Sequence, residues 1–175
     1  HRGRRGDRVG AGDLAEAVLD GRTLLAHVAG ALRPHCDALA ICGREHSDMM
    51  FLPDRPKAGL GPLGGLCAAL THGEEAGFAA VLSAPCDAPD LPPDLYDRLS
   101  RQSGPACVVD LPLVGLWPCA LAAHLRSWLD DGRDRSFRAW ARAVSATSVA
   151  FEHKLGNINT PNDLGAFEWR HATRP

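Results

Sequence analysis

The chain has no CxxC pair and no Cys/His cluster at zinc-ligand spacing, which excludes a structural zinc site. Its six cysteines (Cys36, Cys42, Cys67, Cys86, Cys107 and Cys119) stand singly. Most lie in apolar runs such as Ala40-Ile41-Cys42 and Ala106-Cys107-Val108, which predicts buried, reduced thiols in an intracellular protein. No apolar run approaches the roughly 20 residues that span a bilayer, and the opening HRGRRGDR is polar with no apolar stretch behind it. A cytoplasmic protein without a membrane partner is expected. An excess of one charge sign is also missing, because 19 Lys and Arg face 21 Asp and Glu for a net charge of −2. That balance excludes duplex nucleic acid as the main partner and leaves small charged ligands. Internal repeats, long linkers and low-complexity tracts are absent as well.

What is present is a globular composition, 45% apolar and 23% charged over 175 residues. The length predicts one domain over residues 1–175. Its one compositional shift is the basic, Gly-rich segment 1–12, which reads as a mobile solvated arm or the remnant of a phosphate loop.

Strand and helix patterns alternate through the rest. Residues 22–32 carry Leu24, Leu25, Val28 and Leu32 on one helical face, and Pro34 ends the pattern. Residues 38–42 and 49–52 read as short strands, the second broken by Pro53-Asp54. A Gly/Pro-rich loop then opens a helix over 63–72. Residues 78–83 are apolar on both faces, as in a central parallel strand covered on each side, and so predict the middle of the sheet. A helix is expected from Pro92-Pro93 through Leu95 and Leu99, then strands at 106–109 and 114–117, helices at 118–129 and 137–144, and a last strand at 148–151. Thr160-Pro161-Asn162-Asp163 has the cap, first-turn proline and capping-box acid of a closing helix over 164–170. This alternation implies an open α/β sheet.

In such sheets ligands bind outside the carboxyl ends of the strands. Three segments fall there. Gly61-Pro62-Leu63-Gly64-Gly65 opens a helix whose N-terminus suits an anion, and equally reads as a tight turn entering a helix. Asp87, between Pro85 and Pro89 just after the apolar strand, places a hard oxygen that suits Mg²⁺, or forms an Asx-turn before Pro92. Asn157-Ile158-Asn159 sets two side-chain amides on one side of an extended chain, where they can donate to phosphate oxygens, and equally reads as Asx residues in a turn before a helix. His27, His72 and His124 lie in helical patterns with no nucleophile paired to them in sequence, and Trp117 and Trp140 read as packing residues rather than a platform for a base.

The order of these segments carries a resemblance. Leu19-Asp20-Gly21-Arg22-Thr23-Leu24, Asp54 before Gly61-Pro62-Leu63-Gly64-Gly65-Leu66, Pro85-Cys86-Asp87-Ala88-Pro89, Leu111-Pro112-Leu113-Val114-Gly115-Leu116 and Asn157-Ile158-Asn159-Thr160-Pro161 together resemble the molybdenum cofactor guanylyltransferases, of the nucleotidyltransferase group. The resemblance covers nearly all of the chain after about residue 8. It implies a three-layer, Rossmann-like nucleotidyltransferase fold with a mostly parallel central sheet. It also implies transfer of GMP from Mg-GTP to molybdenum-bearing molybdopterin with release of pyrophosphate. GTP and molybdopterin are the partners so implied, with other molybdenum cofactor proteins as further candidates. Carried over position by position, Asp87 is the catalytic Mg²⁺ ligand, Asp54 contacts the nucleoside, and the loop from Gly61 and Pro62 to Gly65, with Asn157 and Asn159, shapes the acceptor pocket.

The departures gather at the start. The family opens with a strand ending Leu-Ala-Gly-Gly, then a loop and a Lys; the nearest match is Arg8-Val9-Gly10-Ala11-Gly12-Asp13-Leu14, with Arg8 and Gly10 as the phosphate-binding candidates and Leu14 at the Lys position. Gly43 falls near a position where the family commonly has an Asn on the nucleotide. Without an opening strand, neighbouring strands would keep unpaired backbone groups. The same residues also fit a nucleotide- or cofactor-binding protein without turnover, or a cytidylyl- or sugar-phosphate transferase.

Overall fold

The computed structural model describes residues 16–43, 45–46 and 48–158. Arg8, Gly10, Asn159 and the closing helix expected over 164–170 lie outside them.

The first described elements form a hairpin. Strands β1 (Val18–Leu19) and β2 (Arg22–Thr23) pair antiparallel around Asp20-Gly21, whose φ angles are 48° and 75°. Two successive positive φ values make the tight turn whose twist matches paired strands, and a Gly in the second position tolerates it without strain. Helix α1 (Leu24–Leu32) therefore starts two residues later than its apolar pattern suggests. Thr23 caps it, its hydroxyl accepting from the Ala26 amide at 3.1 Å. The four expected apolar positions, Leu24, Leu25, Val28 and Leu32, are its buried face. Thr23→Ala is expected to cost about 1 kcal/mol, the usual value of an N-cap, and urea unfolding followed by circular dichroism checks it.

Two parallel strands follow, β3 (Ala40–Cys42) and β4 (Met50–Leu52), each within its expected range. Helix α2 (Pro62–Glu75) is longer than expected and buries Leu63, Leu66, Cys67 and Leu70. The main sheet has the order β5-β7-β6-β8, with β5 at Ala80–Ser83, β6 at Ala106–Val108, β7 at Gly115–Pro118 and β8 at Thr147–Val149. Helix α3 (Leu95–Ser100) lies between β5 and β6 in the chain. Helices α4 (Ala122–Asp130) and α5 (Phe137–Ala143) lie between β7 and β8.

Two expectations need correction. Strand β5 is at the end of the four-stranded sheet among the described residues, not in its middle. It is nonetheless packed on both faces, Val81 against one core cluster and Leu82 against the other, which accounts for its two-sided apolar pattern. Parallel pairing is also less extensive than the alternation suggested. Strand β7 runs antiparallel to both β5 and β6, because only a short loop separates it from β6 and a chain that returns so soon can pair only antiparallel. Strands β5, β6 and β8 still run in one direction, so their carboxyl ends at Ser83, Val108 and Val149 share one end of the sheet.

The sheet is covered on both faces, which gives three layers. On one side Leu63, Leu66 and Leu70 of α2, Leu125 and Leu129 of α4 and Trp140 of α5 pack with Trp117 and Cys107. On the other, Leu95 and Leu99 of α3 pack with Ala106, Val108, Val114 and Val149. Trp117 and Trp140 are fully buried, in agreement with their reading as packing residues. All six cysteines are free; Cys67, Cys107 and Cys119 are buried and the other three half-buried. Among the described residues no helix is long and apolar enough to cross a membrane.

Candidate functional site

Strand β5 delivers Asp87, and its carboxyl end is held from the side. The Ser83 hydroxyl donates to the Leu113 carbonyl at 2.6 Å and accepts from the Trp117 indole N–H at 2.9 Å. Ala84-Pro85 leads from this anchor into a turn, closed by the Ala88 amide on the Pro85 carbonyl at 3.4 Å. Asp87 is half-buried there. Its Oδ1 is buried with no hydrogen-bond partner among the described residues. Burial pushes its carboxyl above the ordinary range, partly opposed by a hydrogen bond from its own backbone N–H.

A buried carboxylate oxygen with no partner is costly unless a ligand satisfies it. Mg²⁺ fits that need, since it takes hard oxygen donors and commonly uses one or two protein carboxylates with water and substrate phosphates in its other positions. No group of three or more His, Cys, Asp and Glu side chains able to hold a metal occurs among the described residues. The donor set thus suits an ion shared with substrate rather than a closed protein cage.

The Asn157 segment meets Asp87 directly, because the Ile158 amide donates to the Asp87 carbonyl at 2.8 Å. Ile158 is buried against Leu19 and Leu24, which anchors this extended segment to the β1–β2 hairpin and α1. The Asn157 side-chain oxygen is buried. Thus two segments some 70 residues apart in sequence, expected separately at strand ends, are adjacent.

Gly61 and Pro62 open α2 as expected. Gly61 has φ 68° and ψ −162°, a conformation that L side chains resist, and Pro62 takes the first helical position. Asp54 lies on this helix start. A Cβ on Gly64 would stand 3.2 Å from the Asp54 Cβ, and one on Gly65 would stand 2.9 Å from the Cys42 Cβ and 3.7 Å from Asp54 Oδ1. The small residues of the loop therefore serve close packing against Asp54 and β3, besides opening the helix. Burial raises the Asp54 carboxyl.

Cys42 and Cys86 are the link that sequence reading missed. The Cys42 thiol is pushed up to about 11, by burial first and then by Asp54 and Cys86. Cys86 also packs against Leu25 and Ile41. Arg135 was missed too; its guanidinium donates to the Gly59 carbonyl at 3.5 Å and brings a cation beside the glycine loop. Neither link has a local signature, since the pairs are far apart in the chain. His27, by contrast, is engaged with the Leu19 carbonyl at 2.8 Å, and His124 packs on Trp140.

Comparison with known proteins agrees with this fold. The profile of the MobA-like NTP transferase domain matches residues 3–147. A molybdenum cofactor guanylyltransferase of Cereibacter sphaeroides (strain ATCC 17029 / ATH 2.4.9) is 36% identical over 177 residues, covering 95% of this chain and 92% of its own. One from Rhizobium leguminosarum bv. trifolii (strain WSM2304) is 33% identical over 98% of this chain and 91% of its own. Among solved structures, molybdopterin-guanine dinucleotide biosynthesis protein A of Archaeoglobus fulgidus superposes with a TM-score of 0.70 at 21% identity, over 92% of this chain and 91% of that one. The 2-C-methyl-D-erythritol 4-phosphate cytidylyltransferase of Thermus thermophilus superposes with 0.72 at 20% identity, over 93% and 95%, which is a likeness of fold. With a three-layer α/β fold, the Asp87 turn at a strand end and a family profile over most of its length, the chain belongs to the MobA-like NTP transferase domain family.

Proposed function

We propose that the protein transfers GMP from Mg-GTP to the terminal phosphate of molybdenum-bearing molybdopterin and releases pyrophosphate. The observation that carries this reading is the buried Oδ1 of Asp87, without a partner among the described residues, in a turn joined to the Asn157 segment through the Ile158 amide, in a chain whose curated relatives bear the name molybdenum cofactor guanylyltransferase. An oxygen of the acceptor phosphate forms the new bond to the α-phosphorus of GTP. The bond from that phosphorus to the bridging oxygen breaks, and the electron pair leaves with pyrophosphate. No covalent enzyme intermediate is needed; positioning and charge neutralisation supply the rate.

Each residue has a part in that reading. Asp87 holds the Mg²⁺, which neutralises charge on the GTP oxygens. Asp54, placed against Gly64 and Gly65, takes the nucleoside side. Gly61 and Pro62 border the pocket at the start of α2. Asn157, whose neighbour Ile158 is bonded to the Asp87 turn, donates its amide to the acceptor. Asn159, Arg8 and Gly10 complete the proposed set from outside the described residues.

The test is pyrophosphate release by the full chain with MgCl₂, molybdopterin and either GTP or CTP, with the dinucleotide product identified by mass. Release with GTP, dependent on both Mg²⁺ and acceptor, is expected. Release with CTP alone would replace the reading with cytidylyl transfer, and GTP binding without release would leave a binding protein.

A further inference from the structure

A cavity of about 180 Å³, open to solvent, lies between α5 and the β6–β8 pair, and among the described residues none placed in the transfer site lines it. Its apolar wall includes Cys107 and Val109, and its polar groups are Arg138, Arg142, Ser145 and Ser148. Cys107 and Ser148 are register partners on β6 and β8, so their side chains stand on the same face of the sheet, the one that packs on α5. Among the described residues no acidic side chain lines the cavity.

Four arginines occur between residues 133 and 142, and the structure divides them. Arg133 lies 3.5 Å from Asp131 and over the Trp128 ring at 5.1 Å, and Arg135 is bonded to Gly59. Arg138 and Arg142 turn to the cavity instead, four residues apart on α5 and so on one face of the helix. Arg138 is oriented by the Val109 and Asp110 carbonyls, each 3.4 Å from its guanidinium nitrogens, which accept two of its five N–H donors. Asp134 is the acid that interacts electrostatically with Arg142, and Asp110 meets Arg138 through its backbone carbonyl. The Asp134 carboxylate accepts the Ser136 amide at 2.8 Å, and Asp110 contributes its carbonyl.

We propose that this cavity is a second ligand site for a small phosphate or sulfate monoester. The oxyanion sits on the Arg138–Arg142 pair and the Ser145 and Ser148 hydroxyls, and the apolar body lies against Cys107 and Val109. Guanidinium groups suit this task because their planar fork pairs two oxygens of a tetrahedral anion at once.

Calorimetric titration of the full chain with phenyl phosphate, in saturating Mg-GTP, tests the proposal. Binding at one site per chain is expected in the presence of the nucleotide, together with a loss of about tenfold or more on Arg142→Ala and a larger loss on Arg142→Glu. Arg142 is exposed, so both variants are expected to fold, and their circular dichroism checks this. The proposal is overturned if GTP displaces phenyl phosphate, if phenol binds as tightly as the ester, or if the Arg142 variants bind it unchanged. Because the readout is binding beside nucleotide, the result is independent of whether the chain turns over GTP.

Discussion

Asp87→Asn is expected to lower GMP transfer by about 10²-fold or more, the scale at which removal of one preorganised charge-stabilising group slows an enzyme. The side chain keeps its shape and loses its charge, so the deficit should appear in kcat and in Mg²⁺ affinity while circular dichroism is unchanged. Stability should move the other way. Burial raises the Asp87 carboxyl above its ordinary value of 3.8, so the folded chain binds this proton more tightly than the unfolded chain does. The stability that follows is fully present below the unfolded value and is lost as pH rises through the folded one. At neutral pH without Mg²⁺, the wild type therefore carries an unfavourable buried charge that Asn lacks. The variant should melt higher at pH 7 in EDTA, and the difference should shrink as pH falls through the raised folded value and be gone below about 4. Mg²⁺ should raise the wild-type Tm and leave the variant's unmoved. A variant with full turnover, or one stabilised equally by Mg²⁺, would remove Asp87 from the metal.

The largest expected loss of stability is at Trp117. This side chain is fully buried in the cluster that joins α2, α4 and α5 to the sheet, and its indole N–H donates to Ser83 at 2.9 Å. Trp117→Ala is expected to cost about 3–5 kcal/mol, from lost burial and the cavity left behind. For a chain of this length that corresponds to a Tm drop of roughly 10 °C or more. Trp117→Phe keeps most of the volume and removes the indole donor, so a cost of about 1 kcal/mol is expected. Urea unfolding of both variants checks the order. A loss below about 1 kcal/mol for the alanine variant would mean that the cluster closes around the gap. Because Ser83 leads the chain towards Asp87, the same variants should lower transfer beyond their loss of folded protein.

Much of the fold was legible because its elements are short-range patterns. The buried face of α1 is the one its apolar spacing marks, and every described strand overlaps its expected range except the β1–β2 hairpin. Its second strand was hidden inside a helical pattern. Arg22 and Thr23 fit the helix as well as the strand, and the positive φ angles of Asp20 and Gly21 decide for the strand. The place of β5 was misread for a related reason. Its apolar pattern reports that both faces are covered, which holds, but says nothing of how many hydrogen-bonded neighbours it has. The turn at Pro85-Cys86-Asp87 was readable from its prolines. Its support by Ser83 and Trp117 was not, because those residues are 34 apart and neither carries a motif.

By itself the amino-acid sequence determined the alternation of strands and helices, the turn that carries Asp87, the glycine-opened helix and the order of motifs that marks the family. These follow from local backbone preference and from hydrophobic period, which act over a few residues. Only the tertiary structure decided that Ile158 bonds the Asp87 carbonyl, that Asp54 rests on Gly64 and Gly65, and that Arg138 and Arg142 share a cavity with Ser148. Such contacts join segments far apart in the chain. They are set by how the layers pack against one another, and no local preference specifies them.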